Sequence, residues 1–199
     1  MNLFRSRSYR SIARTALIGA VSLFGSLAAF AADTYEYRVL ATNKTSTMEK
    51  EMNEAAAAGY EFSATMGGET AFGGKEVVLV MTKASSAGAH KRYKLLATNK
   101  TSTMQKEISE MGAEGFEYKG QTVFESTFGG REVAVILELD SSKPPVRIDF
   151  KLLATSKTST MQKELGEAGR EGFGLVGLTV GKTAMGGSEV VSILRRLGK

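Results

Sequence analysis

The sequence predicts an α+β fold: three tandem β-α-β-β units, each an antiparallel sheet with one helix, packed together with internal pseudo-symmetry. Three observations predict it. The stretch Lys94–Glu107 recurs almost letter for letter at Arg38–Glu51 and Lys151–Glu164, which marks a tandem array. Within each copy the apolar pattern changes from strand-like to helical and back. The last strand of each copy is apolar on both faces, as Val133, Val135 and Leu137 against Ala134 and Ile136 illustrate. One helix covers only one face, so the other calls for a neighbouring unit.

Each unit, over 35–84, 91–140 and 148–197, reads in the same order. A first strand (Tyr35–Thr42, Lys91–Thr98, Ile148–Thr155) leads through a polar Thr/Ser/Lys segment into a helix. Ser46 with Glu49, Ser102 with Gln105 and Ser159 with Gln162 have capping-box spacing: the hydroxyl would accept from an orphan amide while Glu or Gln reaches back. Met48, Met52 and Ala55, then Met104, Ile108 and Met111, then Met161, Leu165 and Ala168 place one narrow apolar stripe on each helix. Gly59, Gly115 and Gly172 suit left-handed caps, each followed by an aromatic ring. Second strands are expected at Tyr60–Met66, Phe116–Phe124 and Phe173–Val180. Gly73-Gly74, Gly129-Gly130 and Gly186-Gly187 then make hairpin turns. The third strands, Val77–Met81, Val133–Leu139 and Val190–Leu194, should lie centrally, between the other two. Polar joints at 85–90 and 140–147 separate the units, the second carrying both prolines.

Residues 1–31 read as a secretory signal peptide. Arg5, Arg7, Arg10 and Arg14 form a basic start, Ala16–Phe30 an apolar run, and Ala29-Phe30-Ala31 a small-residue cleavage site, so the mature chain is expected to begin at Ala32. The apolar run is short for a spanning helix, and no membrane span is expected after cleavage. A periplasmic or secreted location follows. The leader holds four of the 26 Lys and Arg and none of the 21 Asp and Glu. Without it the chain is close to neutral, and the isoelectric point near 9.4 is no argument for nucleic acid as a partner. With no cysteine, a lipoprotein anchor and disulfide staples are both excluded, and stability must come from an ordinary core.

The run Glu110-Met111-Gly112-Ala113-Glu114-Gly115-Phe116-Glu117-Tyr118, with Tyr93-Lys94-Leu95 before it and Val133–Leu137 after it, resembles a small bacterial family, domain of unknown function 4177. Glu167–Phe173 and Ile193–Arg196 are similar. Tyr60, Phe116 and Phe173 stand where that family usually has tryptophan. The resemblance implies the β-α-β-β order and no activity.

Chemistry is sparse. The single histidine, His90, sits in a joint, and no Cys–His pair or multi-histidine zinc site can be built. No cofactor is implied. A hydrolase would have to use the recurring glutamates Glu76, Glu132 and Glu189, or Glu54, Glu110 and Glu167. Non-catalytic binding or scaffolding is the first reading. Its candidate sites are the helix entries Lys44-Thr45-Ser46-Thr47, Lys100-Thr101-Ser102-Thr103 and Lys157-Thr158-Ser159-Thr160. Free amides, hydroxyls and a lysine at a helix start favour an anion. The expected partner is an envelope protein, a glycan or a phosphorylated ligand.

Overall fold

In a computed structural model of the chain, the residues described are 34–69, 75–85, 88–98, 100–125, 131–182 and 187–198. The leader, Phe72, Phe128, Met185 and the turn glycines Gly73, Gly74, Gly129, Gly130 and Gly186 lie outside them. The elements run β1 (Tyr35–Thr42), α1 (Thr45–Ala57), β2 (Glu61–Glu69), β3 (Lys75–Ala84), then β4 (Lys91–Thr98), α2 (Thr101–Ala113), β5 (Glu117–Glu125), β6 (Arg131–Asp140). The third unit is β7 (Ile148–Thr155), α3 (Thr158–Arg170), β8 (Gly174–Lys182) and β9 (Ser188–Leu197). Each unit forms one antiparallel three-stranded sheet, ordered β1-β3-β2, β4-β6-β5 and β7-β9-β8. The third strand is central in all of them, as expected from a run that must be covered on both faces.

The helices end where glycine permits it. Gly59, Gly115 and Gly172 have φ between 86° and 91°, and at α1 the amides of Tyr60 and Gly59 bond back to Ala55 and Ala56. This is the Schellman pattern, which satisfies the last carbonyls. The ring after each cap receives a cation: Arg38 over Tyr60 at 4.8 Å, Arg92 over Phe116 at 6.0 Å, Arg196 over Phe173 at 4.4 Å.

Register assigns the two faces of each sheet. Leu40 pairs with Leu79 and Leu96 with Val135, whereas Val39 pairs with Val80 and Leu95 with Ile136. The first set faces the unit's own helix, here called the front. The second set is the rear, and it packs on the preceding unit. The two core clusters follow from this arrangement. One joins Met48, Met52, Leu79 and Met81 of the first unit to Tyr93, Leu95, Ala134 and Ile136 of the second. The other joins Met104, Ile108, Val135 and Leu137 of the second to Ile148, Phe150 and Ile193 of the third. Helix and sheet therefore alternate, and α1 and α2 are each held between two sheets.

What docks one unit on the next is a polar clamp. The outer strands β4 and β7 leave backbone groups unpaired along one edge, and the preceding helix supplies partners for them. Asn53 on α1 accepts from the Tyr93 amide at 2.9 Å and donates to the Tyr93 carbonyl at 3.0 Å. Glu49 accepts from the Leu95 amide at 2.9 Å and pairs with Lys94 at 3.0 Å. On α2 a single residue does the same work: Gln105 donates to the Phe150 carbonyl at 3.1 Å and accepts from the Leu152 amide at 2.7 Å.

The first junction also buries a polar cluster. Tyr93 donates to Glu138 at 2.7 Å and accepts from the Phe62 amide at 2.8 Å, beside the register shift between Phe62 and Ala64. Burial, then the bond to Glu138, pushes the Tyr93 hydroxyl far above its ordinary range. Glu138, only 5% exposed, is balanced by Lys119 at 3.0 Å and Lys91 at 3.4 Å. Burial disfavours charge on Lys91. Its bond to Asp140 and the nearby carboxylates outweigh that, and its pKa is raised.

Two expectations follow. Gln105→Leu strands two part-buried backbone groups and should lower unfolding free energy by about 2 kcal/mol, whereas Gln162→Leu on α3, an exposed position that holds no described strand, should change it by less than about 0.5 kcal/mol in dilute solution. Denaturant melts of both variants decide this. Asp140 is held well below the usual carboxylate range by the side chain and backbone of Ser142 and by Lys91. Its stabilisation is therefore present above about pH 4 and fades as pH falls toward its folded value. Asp140→Asn should melt lower than the parent at neutral pH and lose less on acidification, the two curves converging in strong acid.

Candidate functional site

The three helix entries are built alike, but not as capping boxes. Helices begin at Thr45, Thr101 and Thr158, and the N-cap residues are Lys44, Lys100 and Lys157, extended at φ −121°, −112° and −121°, with no side-chain cap bond. The lysine carbonyls accept the first helical bonds, from Met48, Met104 and Met161, each at 3.0 Å. Ser46, Ser102 and Ser159 thus sit inside the first turn and are exposed, rather than at the cap. The turn is closed one step earlier by threonine: Thr42, Thr98 and Thr155 accept from the amides of Lys44, Lys100 and Lys157 at 3.1–3.2 Å. The expected boxes fail in all three units because each helix starts one residue before the serine, with lysine at the cap; Glu49 and Gln105 are then free to reach the clamps on β4 and β7.

The twelve candidate residues do not converge on one site. The second entry reaches the third unit, and the described contacts of the other two stay within their own units. Ser46 and Thr47 border a shallow depression on α1 with Lys50, Glu51 and Glu54. Thr101 donates to Glu189 on β9 at 2.9 Å, so a carboxylate already stands at the second entry and opposes an anion there. Lys157, Thr158 and Ser159 are exposed and Thr160 is half-buried, as Thr45, Thr47 and Thr103 are. The three lysines are exposed, and none of them is in an ion pair among the described residues.

Beside the second entry lies a cavity of about 120 Å³, lined by Thr98, Lys100, Thr101 and Met104 on one side and by Leu152, Thr179, Val191 and Ile193 of the third unit on the other. Its cause lies in one residue. At the first junction a Cβ on Gly67 would meet the Val123 carbonyl at 2.4 Å and the Thr122 hydroxyl at 2.6 Å, so β2 lies directly against β5. The equivalent residue of the second unit is Val123, whose side chain holds β8 away from β5 and lines the space. The lining is mostly apolar, with Lys100 and three threonines at the rim.

Of the recurring glutamates, Glu54 and Glu167 lie in exposed helix pairs with Lys50 and Lys163 at 3.7 and 3.9 Å, and Glu189 faces a hydroxyl. Among the described residues no group of three or more His, Asp or Glu could hold a metal ion. His90 is exposed, and its carbonyl accepts from Ser141. Sequence reasoning missed Asn53, Glu49 and Gln105 as junction residues. It also missed Glu138, whose signal was an acid inside the otherwise apolar run of β6.

No family model matches the chain, and neither a curated protein nor a solved structure matches it.

With the serines inside the first turn, Ser46→Ala, Ser102→Ala and Ser159→Ala should be close to neutral, whereas a lost cap costs about 0.5–2 kcal/mol. Thr98→Val removes the acceptor of the Lys100 amide and should cost about 1 kcal/mol. Melting curves of the four variants test the assignment.

Proposed function

We propose that the chain is a non-catalytic binding or scaffold module of the bacterial cell envelope, exported by its leader and built of repeats akin to domain of unknown function 4177. The observation that carries this reading is where the buried polar chemistry goes. Glu49, Asn53, Gln105, Tyr93, Glu138 and Lys91 all serve the junctions between units. They act as fasteners, satisfied by backbone or by each other. The recurring glutamates, on which a hydrolase would depend, offer no facing pair among the described residues that the hydrogen bonds and ion pairs bring together. That favours binding over hydrolysis.

A stack of this kind repeats the same elements unit by unit. Each entry follows the end of a first strand and opens a helix, so Lys44, Lys100 and Lys157 are repeated with the units. Helix-start amides with an exposed lysine suit a polyanionic partner such as an acidic glycan or a phosphorylated chain. Glu189 weakens the second entry, which leaves the first and third as the stronger contacts.

Substituting Lys44, Lys100 and Lys157 together by glutamine leaves the threonine turns intact and should not change melting. Binding to acidic envelope glycans should weaken in the variant. The difference should shrink as salt rises past about 0.1 M, where screening acts within about 10 Å. If parent and variant bind such polymers alike at low salt, the entries are turns and not contacts.

A further inference from the structure

The internal junction is asymmetric: a front face with its helix on one side, a rear face with its first strand on the other. Two such junctions are made within the chain, and each end of the stack keeps half of a third. At one end the rear of the first sheet is bare. Tyr37 occupies the position of Tyr93 and Phe150, yet it is 67% exposed where they are 3% and 6%. Val39, equivalent to Leu95 and Leu152, is 58% exposed, and Tyr35 and Met66 are bare on the same face. At the other end Leu175 and Leu178 are each about half exposed, and register puts them on the front of the third sheet, opposite Leu194 and Ser192. Most of the large apolar side chains left exposed among the described residues fall on these two ends. Repeat arrays that stay single usually close with polar end units, and neither end here is polar.

The two ends also match in shape and hydrogen bonding. On α2 a Cβ at Gly112 would meet the Ile148 carbonyl at 2.3 Å and the Phe150 ring at 2.7 Å, because β7 lies against that notch. The same position on α3 is Gly169, and nothing lies within 4 Å of it. Glycine there weakens the helix relative to alanine and serves no contact within this chain. Gln162 repeats Gln105 and has no following strand to hold. Gly120 and Gly177 on the rear faces admit Phe62 with Thr65, and Tyr118 with Gln121, from the unit before. The first unit has a small residue, Ala64, at that place, and it is exposed.

We propose that the chain associates head to tail with further copies of itself. The rear face of the first unit, with β1 at its edge, docks on α3 and the front face of the third unit of the next copy. Gln162 then takes the Tyr37 carbonyl and the Val39 amide, as Gln105 takes those of Phe150 and Leu152. The Gly169 notch receives β1. Leu175 and Leu178 pack over Ala64. The occupant is argued from continuity: the surface repeats twice inside the molecule, already filled by a copy of the unit that would fill it again. Such a contact is heterologous, so it builds a ring if the rotation closes and a filament if it does not. By continuity the third entry would border this contact, as Thr101 borders the third unit, but the variants that test association leave all three lysines in place, so this inference and the anion reading can fail separately.

The test uses sedimentation of the purified chain over a wide concentration range, with two variants at exposed positions. Tyr37→Asp spoils the rear end and Leu178→Asp the front end, and unchanged melting curves confirm that both fold. The parent should grow in mass with concentration. Each variant alone should stay monomeric, and an equimolar mixture should form a one-to-one dimer that grows no further, because only one pair of intact ends remains. A second measurement catches weak association: with no native cysteine, chains carrying Val39→Cys and Gln162→Cys should cross-link to each other rather than to themselves. A monomeric parent, together with cysteine variants that give no such cross-link, overturns the proposal. So does a Leu178→Asp chain that associates as the parent does, since that outcome means two β1 edges pairing about a two-fold axis.

Discussion

Everything in this structure depends on what is done with the outer edge of each first strand. A three-stranded sheet with its third strand in the middle leaves the first strand at an edge, with amides and carbonyls that must find water or a partner. Here the partner is a side chain on the preceding helix. Once Asn53 and Glu49 hold β4, α1 is fixed between two sheets, and its apolar stripe can face both. The double coverage then explains the two-sided apolar character of β6, where Ala134, Val135, Ile136 and Leu137 are all fully buried. A bead-like array would have wasted half of that burial, worth about 25 cal/mol per Å².

The order of elements, the central place of the third strand and the shared core were legible from repetition and periodicity, because they follow from which side chains must leave water. Gly59, Gly115 and Gly172 were legible for a different reason: positive φ leaves little choice of residue. The helix starts were misread. Ser-x-x-Glu spacing is a local signal, and it assumes that the serine is the cap, whereas each helix starts one residue before it, with lysine at the cap. Glu49 and Gln105 bind instead a strand roughly forty-six positions further along the chain, and no local pattern announces that. The candidate site suffered accordingly. The entries were found, but their lysines turned out to be the cap residues. The Glu189 that stands beside Thr101 comes from another unit altogether.

The two junctions solve one geometric problem with different chemistry. The first is polar at its centre: Tyr93 is tied to Glu138 and to the Phe62 amide, with two lysines balancing the acid. The second puts Ile148 and Phe150 in the corresponding strand, and among the described residues no buried charged residue lies there. Buried ion clusters seldom outperform good apolar packing in stability, but they are unforgiving of displacement, since a shifted partner leaves a charge unpaired. Apolar contacts tolerate a shift, and the second junction contains one. Val123 stands where the first junction has Gly67, and the sheets part enough to leave the cavity beside Lys100. The third unit carries a further weakness, a fully buried Ser192 whose hydroxyl lacks a partner, under a helix that buries only Ala168 completely. Rigidity should therefore decline along the stack, from a first junction with a buried charged cluster besides its clamp to a second whose clamp is the single residue Gln105. The end with the loosest packing is also the end where α3 still has a face to fill.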